Sequence, residues 1–198
     1  MAIKLGLLSN FINYGSSFLL LPVYIELLTK NEIGLWYFSL GLISLNLLLG
    51  LGMQVSFTRY FGYAKNGITD LRKSEKAPVK YLDTNKILLG KLVFSAALIY
   101  ALISIISSII ISWIGYKYSI KNFSEFENIN FGFYWTILGF LCFSQLSFQW
   151  VNAFLIAYEK ISNIYKLQIV SKLSSFLIIP LLFFWGAEIF AISIGLLI

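Results

Sequence analysis

The stretch "ELLTKNEIGLWYF", Glu26–Phe38, sets Glu26, Lys30 and Glu32 between two long uncharged runs. Thr29 and Glu32 stand at the spacing of a capping box. In that motif the threonine hydroxyl accepts from the backbone N–H three residues on, and the glutamate carboxylate accepts from the threonine N–H. The pattern starts a helix. The stretch therefore reads as a tight turn between two helices, with Trp36 and Tyr37 one turn into the second, where amphipathic rings favour a membrane interface. A soluble helical hairpin shares this turn chemistry, so the flanking runs decide the class.

Leu5–Ile25, Ile33–Thr58, Leu92–Tyr116 and Asn128–Tyr158 carry no charge. Each reaches the ~20 residues that cross ~30 Å of hydrocarbon at about 1.5 Å per residue. Leu167–Trp185 holds a single charge, Lys172, and another apolar run begins at Ile189 and continues to Ile198. The chain is 59% hydrophobic and 12% charged, against roughly 45–50% and 25% for soluble domains. Too few polar groups are present to cover a soluble core. The sequence predicts an all-α transmembrane bundle, with complete spans at 5–28, 33–58, 88–116, 131–158 and 167–185 and a partial sixth at 189–198. The last run has no polar flank, which reads as the N-terminal part of a longer protein; a short interfacial tail is the other reading.

The N-terminus has one lysine, Lys4, and no small-residue cleavage site, so the first apolar run reads as an uncleaved helix rather than a signal peptide. Lys30, Lys117 and Lys121 fall on one side of the predicted topology and the other 12 of the 15 basic residues on the opposite side. The positive-inside rule then places the N-terminus in the cytoplasm. The basic loop Arg59–Lys91 reads as a topology determinant beside anionic lipid, and the net charge of +6 does not point to nucleic acid. Histidine is absent and Cys142 is the only cysteine, so no disulfide, cofactor or metal site is expected. No nucleophile motif or glycine-rich phosphate loop appears, and the acidic residues Glu125 and Glu127 near Lys121 read as a solvated turn. An enzyme is not expected.

Polar residues inside the spans fall on stripes. Asn10, Asn13, Ser17 and Tyr24 share one face of the first helix; Gln145, Gln149 and Asn152 share one in the fourth span; Gln168, Ser171, Lys172 and Ser175 share one in the fifth. Asn46 and Gln54 lie in the second. Amides in lipid need partners, so these faces point inward. Two readings stand: hydrogen-bonded glue between helices, or the lining of a hydrated cavity onto which the stripes of the first, fourth and fifth spans converge. Pro22 and Pro180 lie within spans and are expected to kink or locally unwind them.

"LLLPVYIELLTKNEIGLWYFSLGLISLNLLLGLGMQVSFTRYFG", Leu19–Gly62, resembles the first helical hairpin of polysaccharide flippases, with a proline-bearing helix, "E-x-G-L-W", "G-L-G" and an arginine at the cytoplasmic end. "FLIAYEKISNIYKLQIVSKL", Phe154–Leu173, is similar to their junction between fourth and fifth helices. The superfamily includes multidrug and lipid-linked oligosaccharide exporters built from two pseudo-symmetric bundles, and this chain would form most of the first. The resemblance implies movement of an undecaprenyl-diphosphate-linked oligosaccharide across a bacterial cytoplasmic membrane, with a polysaccharide polymerase and chain-length machinery as partners. It assigns Arg59, Lys91 and Lys172 to the diphosphate, with snorkelling to the interface as their structural alternative. Asn10, Asn13, Gln145, Gln149, Asn152 and Gln168 complete the expected cargo-binding set. A drug/cation antiporter of the same superfamily and a truncated protein that does not transport are the competing readings.

Overall fold

A computed structural model describes residues 2–67, 85–123, 130–185 and 190. The described residues form six helices and no strand: α1 (Ala2–Leu27), α2 (Lys30–Lys65), α3 (Lys86–Asn122), α4 (Phe131–Ser147), α5 (Gln149–Ala157) and α6 (Ile161–Phe184). Most of the basic loop, the turn with Glu125 and Glu127, and the predicted partial span apart from Phe190 lie outside the described residues.

The capping box is formed. The Thr29 hydroxyl accepts from the Glu32 N–H at 3.4 Å, and the Glu32 carboxylate accepts from the Thr29 N–H at 2.7 Å and from its hydroxyl at 2.8 Å. These bonds satisfy a carboxylate that is only 6% exposed. Asn85 and Asn130 cap α3 and α4 in the same manner, through side-chain oxygens that accept from Leu88 and Phe133.

Among the described residues four stretches are long and apolar enough to cross a membrane: α2, α3, Phe131–Ala157 and Ile161–Leu182. Helix α1 has the length, at 26 residues, but Asn10, Asn13 and the serines at 9, 16 and 17 dilute its apolar content. The outer faces are apolar: Phe11, Phe18 and Ile87 are each 77% exposed and Phe94 is 70% exposed. Soluble monomers do not expose apolar surface on this scale, and a bilayer covers it at no cost. The chain is a multi-pass helical membrane protein.

Helix α2 packs on α3 and α5, and α3 packs on α4. Asn46 lies beside Cys142, Phe61 beside Ala153 and Lys65 beside Glu159, so α2 and the α4–α5 stretch run in the same direction. Ser107 meets Asn46 and Ala96 meets Phe61, so α3 runs against them. Leu35, Ile43, Ile111, Trp135 and Leu138 fill the half of this group nearest the α1–α2 turn. Helix α1 packs on α6 instead. The α1–α6 pair joins the group through Tyr24, Leu28 and Ile179, against which Trp36 packs edge-on to Tyr24 at 4.8 Å.

The predicted fourth span is interrupted at Phe148, which no proline explains. Ser144 donates to the Leu141 carbonyl at 2.9 Å and Ser147 to the Ser144 carbonyl at 3.2 Å. Hydroxyls that compete for main-chain acceptors in this way bend helices. By contrast α1 runs through Pro22 and α6 through Pro180 without interruption, so the local unwinding expected at these prolines does not occur.

Candidate functional site

The polar stripes of α1 and α6 meet in one seam. Ser9 donates from its hydroxyl to Gln168 Oε1 at 3.0 Å. One helical turn before Ser9, Gly6 lets the ring of Tyr165 approach: a Cβ at Gly6 would sit 3.1 Å from that ring. Lys172, one turn beyond Gln168, is half-buried and has no ion-pair partner among the described residues. Ser175 is buried and turns back to the Ser171 carbonyl at 3.0 Å. Asn10 is exposed, and the side chain of Asn13 lies outside the described residues. The sequence reading did not single out Ser9, which supplies the link. A serine in an apolar helix carries no signal of its own, because its hydroxyl can always return to the preceding turn.

The stripe of the fourth span does not join this seam. Gln149 faces α2, where its Oε1 lies so close to Gly50 that a Cβ there would fall 1.5 Å from it. Gln145 is half-buried and Asn152 exposed. The side-chain carbonyl oxygens of Gln145 and Gln149 are buried without a hydrogen-bond donor among the described residues. Close by, Tyr100 donates to the Gly50 carbonyl at 3.4 Å. Asn46 is fully buried: its amide donates to the Cys142 carbonyl at 3.0 Å and its Oδ1 accepts from Ser107. Asn46 is glue between α2, α3 and α4. The two readings of the intramembrane amides thus divide by position: Asn46 is buried glue, Gln168 is exposed yet accepts from Ser9 across the α1–α6 contact, and Asn10 is exposed.

Arg59, near the end of α2, is exposed and donates from Nε to the Tyr63 hydroxyl, its guanidinium 5.4 Å from the centre of that ring. At the same end, Lys65 is 2.8 Å from Glu159. Its hydrogen bond and charge hold the Glu159 carboxyl below the usual glutamate range. Lys91 is exposed on the first turns of α3.

A groove of about 630 Å³ opens between α3 and α4, walled by Trp113, Tyr116 and Phe140 over a floor that includes Ser112, Thr136 and Gly139. Two of its hydroxyls are occupied: Ser112 donates to the Trp135 carbonyl and Thr136 to that of Gly132. It holds none of the residues expected to bind cargo and presents apolar walls suited to lipid.

Among the described residues no group of three or more Cys, Asp or Glu side chains is placed to hold a metal ion. The α1–α6 seam offers a cation, Lys172, beside the exposed amide of Gln168, which is binding chemistry for a polar anionic solute. Comparison with protein-family models, with functionally curated proteins and with solved structures returns no match.

Proposed function

We propose that this chain acts in membrane transport, moving an undecaprenyl-diphosphate-linked oligosaccharide from the inner to the outer leaflet, with its N-terminus in the cytoplasm. The observation that carries the reading is the α1–α6 seam, where Ser9 bonds Gln168 and Lys172 lies one turn away with no ion-pair partner among the described residues. Sugars and a diphosphate cannot enter hydrocarbon unless protein groups replace their hydration. Lys172 supplies charge-assisted hydrogen bonds to the diphosphate, while Gln168 and Asn10 serve sugar hydroxyls. Arg59 attracts the headgroup at the cytoplasmic end of α2. A cation-coupled drug antiporter calls for a free acidic group within the bilayer; Glu26 stands only in the last turn of α1, near the predicted outer surface, and Glu32 is occupied by its capping box.

Proteoliposomes loaded with undecaprenyl-diphosphate oligosaccharide on the inner leaflet test the proposal, with outward arrival followed by an added lectin. The protein should speed arrival over protein-free vesicles. Lys172→Gln should slow it about tenfold or more, the loss of one charged hydrogen bond of about 1.5–3 kcal/mol, and Lys172→Arg should keep much of the rate. Arrival no faster than in protein-free vesicles rejects the flippase. Full activity in Lys172→Gln rejects the site.

A further inference from the structure

The cluster around Lys65 has no part in the seam, yet it ties together the ends of three helices. Lys65 is the last residue of α2. Its ammonium donates to Glu159 Oε1 at 2.8 Å and to the Ala157 carbonyl, the last of α5, at 3.4 Å. It also lies 5.8 Å from the centre of the Tyr158 ring. A cation at a helix C-terminus meets the negative end of the helix dipole. Next to it, the Asn85 N–H donates to the Ala64 carbonyl at 3.0 Å, which draws the start of α3 to the same point.

The turn from α5 into α6 is built to present Glu159. Lys160 N–H returns to the Leu155 carbonyl and Glu159 N–H to that of Ile156, each at 2.9 Å, which closes the end of α5 in a Schellman arrangement. That arrangement requires a left-handed residue, and Glu159 takes it with φ 59°. Glycine is the usual occupant, because a Cβ is disfavoured there. A glutamate at this position gains nothing for the turn itself. Its carboxylate reaches Lys65 instead.

This tie sits where it controls the larger layout. The α1–α6 pair packs on itself and meets the α2–α5 group at opposite ends. At one end the contact is apolar, with Tyr24, Leu28 and Ile179 against Trp36 and Ile33. At the other end, the chain enters α6 through the short turn that Lys65 grips. We propose that Lys65 and Glu159 form a releasable latch: closed, it holds the α5–α6 turn, and with it the α1–α6 pair, against the end of α2; open, the pair swings about the aromatic contact at the far end. The Glu159 side chain is 85% exposed and that of Lys65 29%. So exposed a pair shifts a two-state population by at most about fivefold, enough to bias a motion and too little to lock it. The latch is independent of what the protein carries.

Spin labels on cysteines at Asn66 and Asn163, both exposed, report the separation of the two ends by electron resonance in nanodiscs. A Cys142→Ala background leaves the Asn46 bond intact, since that bond uses the Cys142 backbone carbonyl. The parent should show a short distance with a minor longer one. Glu159→Gln should raise the longer population up to about fivefold, Lys65→Gln should raise it further because the contacts with the Ala157 carbonyl and the Tyr158 ring go as well, and Lys65→Arg should keep the parent distribution. Molar salt should act on the parent as Glu159→Gln does. Parental distances in both glutamine variants, at unchanged helix content by circular dichroism, would overturn the latch. A Lys65→Arg protein as open as Lys65→Gln would overturn it as well.

Discussion

Asn46 touches three helices with one side chain: it belongs to α2, donates to the Cys142 carbonyl of α4 and accepts from Ser107 of α3. Both polar atoms of this fully buried side chain thus find a partner within the protein. Bonds of this kind between membrane helices contribute about 0.6 kcal/mol on average and up to about 1.7. Asn46→Leu should therefore lower stability by about 1–2 kcal/mol, with Ser107→Ala in the same chain adding less than it does alone, because the two residues share one bond. Reversible unfolding in mixed micelles measures both. If the two substitutions add fully, the coupling is absent. The sequence places Asn46 in a span, but not its partners: a serine and a main-chain carbonyl leave no trace in composition.

At the scale of elements, α3 and α4 are fixed by Trp135 lying in the space left by Gly115. A Cβ on Gly115 would come 2.2 Å from the indole, closer than any relaxed contact. The ring is also held at its nitrogen, which donates to Ser119 at 2.8 Å, and its carbonyl accepts from Ser112 at 3.0 Å. Gly115→Val should force the ring out and cost about 1–3 kcal/mol by overpacking. Trp135→Phe keeps a six-membered ring in the site but loses the hydrogen bond, about 0.6 kcal/mol, and leaves part of the indole volume unfilled, so it should cost about 1 kcal/mol, less than Gly115→Val. Thermal unfolding in detergent separates them, and equal losses would show that shape is not what joins the two helices. Local signals served the element ends well, since the Thr29–Glu32 box depends only on neighbours in sequence. They failed at Phe148, because whether a serine hydroxyl turns onto its own helix depends on what else lies within reach.

For the whole molecule, orientation is the first quantity to measure. The basic residues crowd on one side of the predicted topology, with Lys30, Lys117 and Lys121 on the other. A reporter fused after Ala64 should read cytoplasmic and one after Phe123 external. The reverse pattern would invert the proposed direction of transport and place the Lys65–Glu159 tie outside.

By itself the sequence determined the class of this protein, because length and apolarity against a slab of hydrocarbon are properties of single segments. It also determined the turn at Thr29, and it found the polar residues that needed partners. Only the tertiary structure decided how the helices group. Lipid tails are as apolar as leucine, so hydrophobicity does not say which helix lies on which; small residues that permit close approach and a few hydrogen bonds do. Ser9 with Gln168 puts α1 on α6, and Gly50 under Gln149 puts α5 on α2. Both pairings join residues far apart in the chain, through contacts that no periodicity along one helix records.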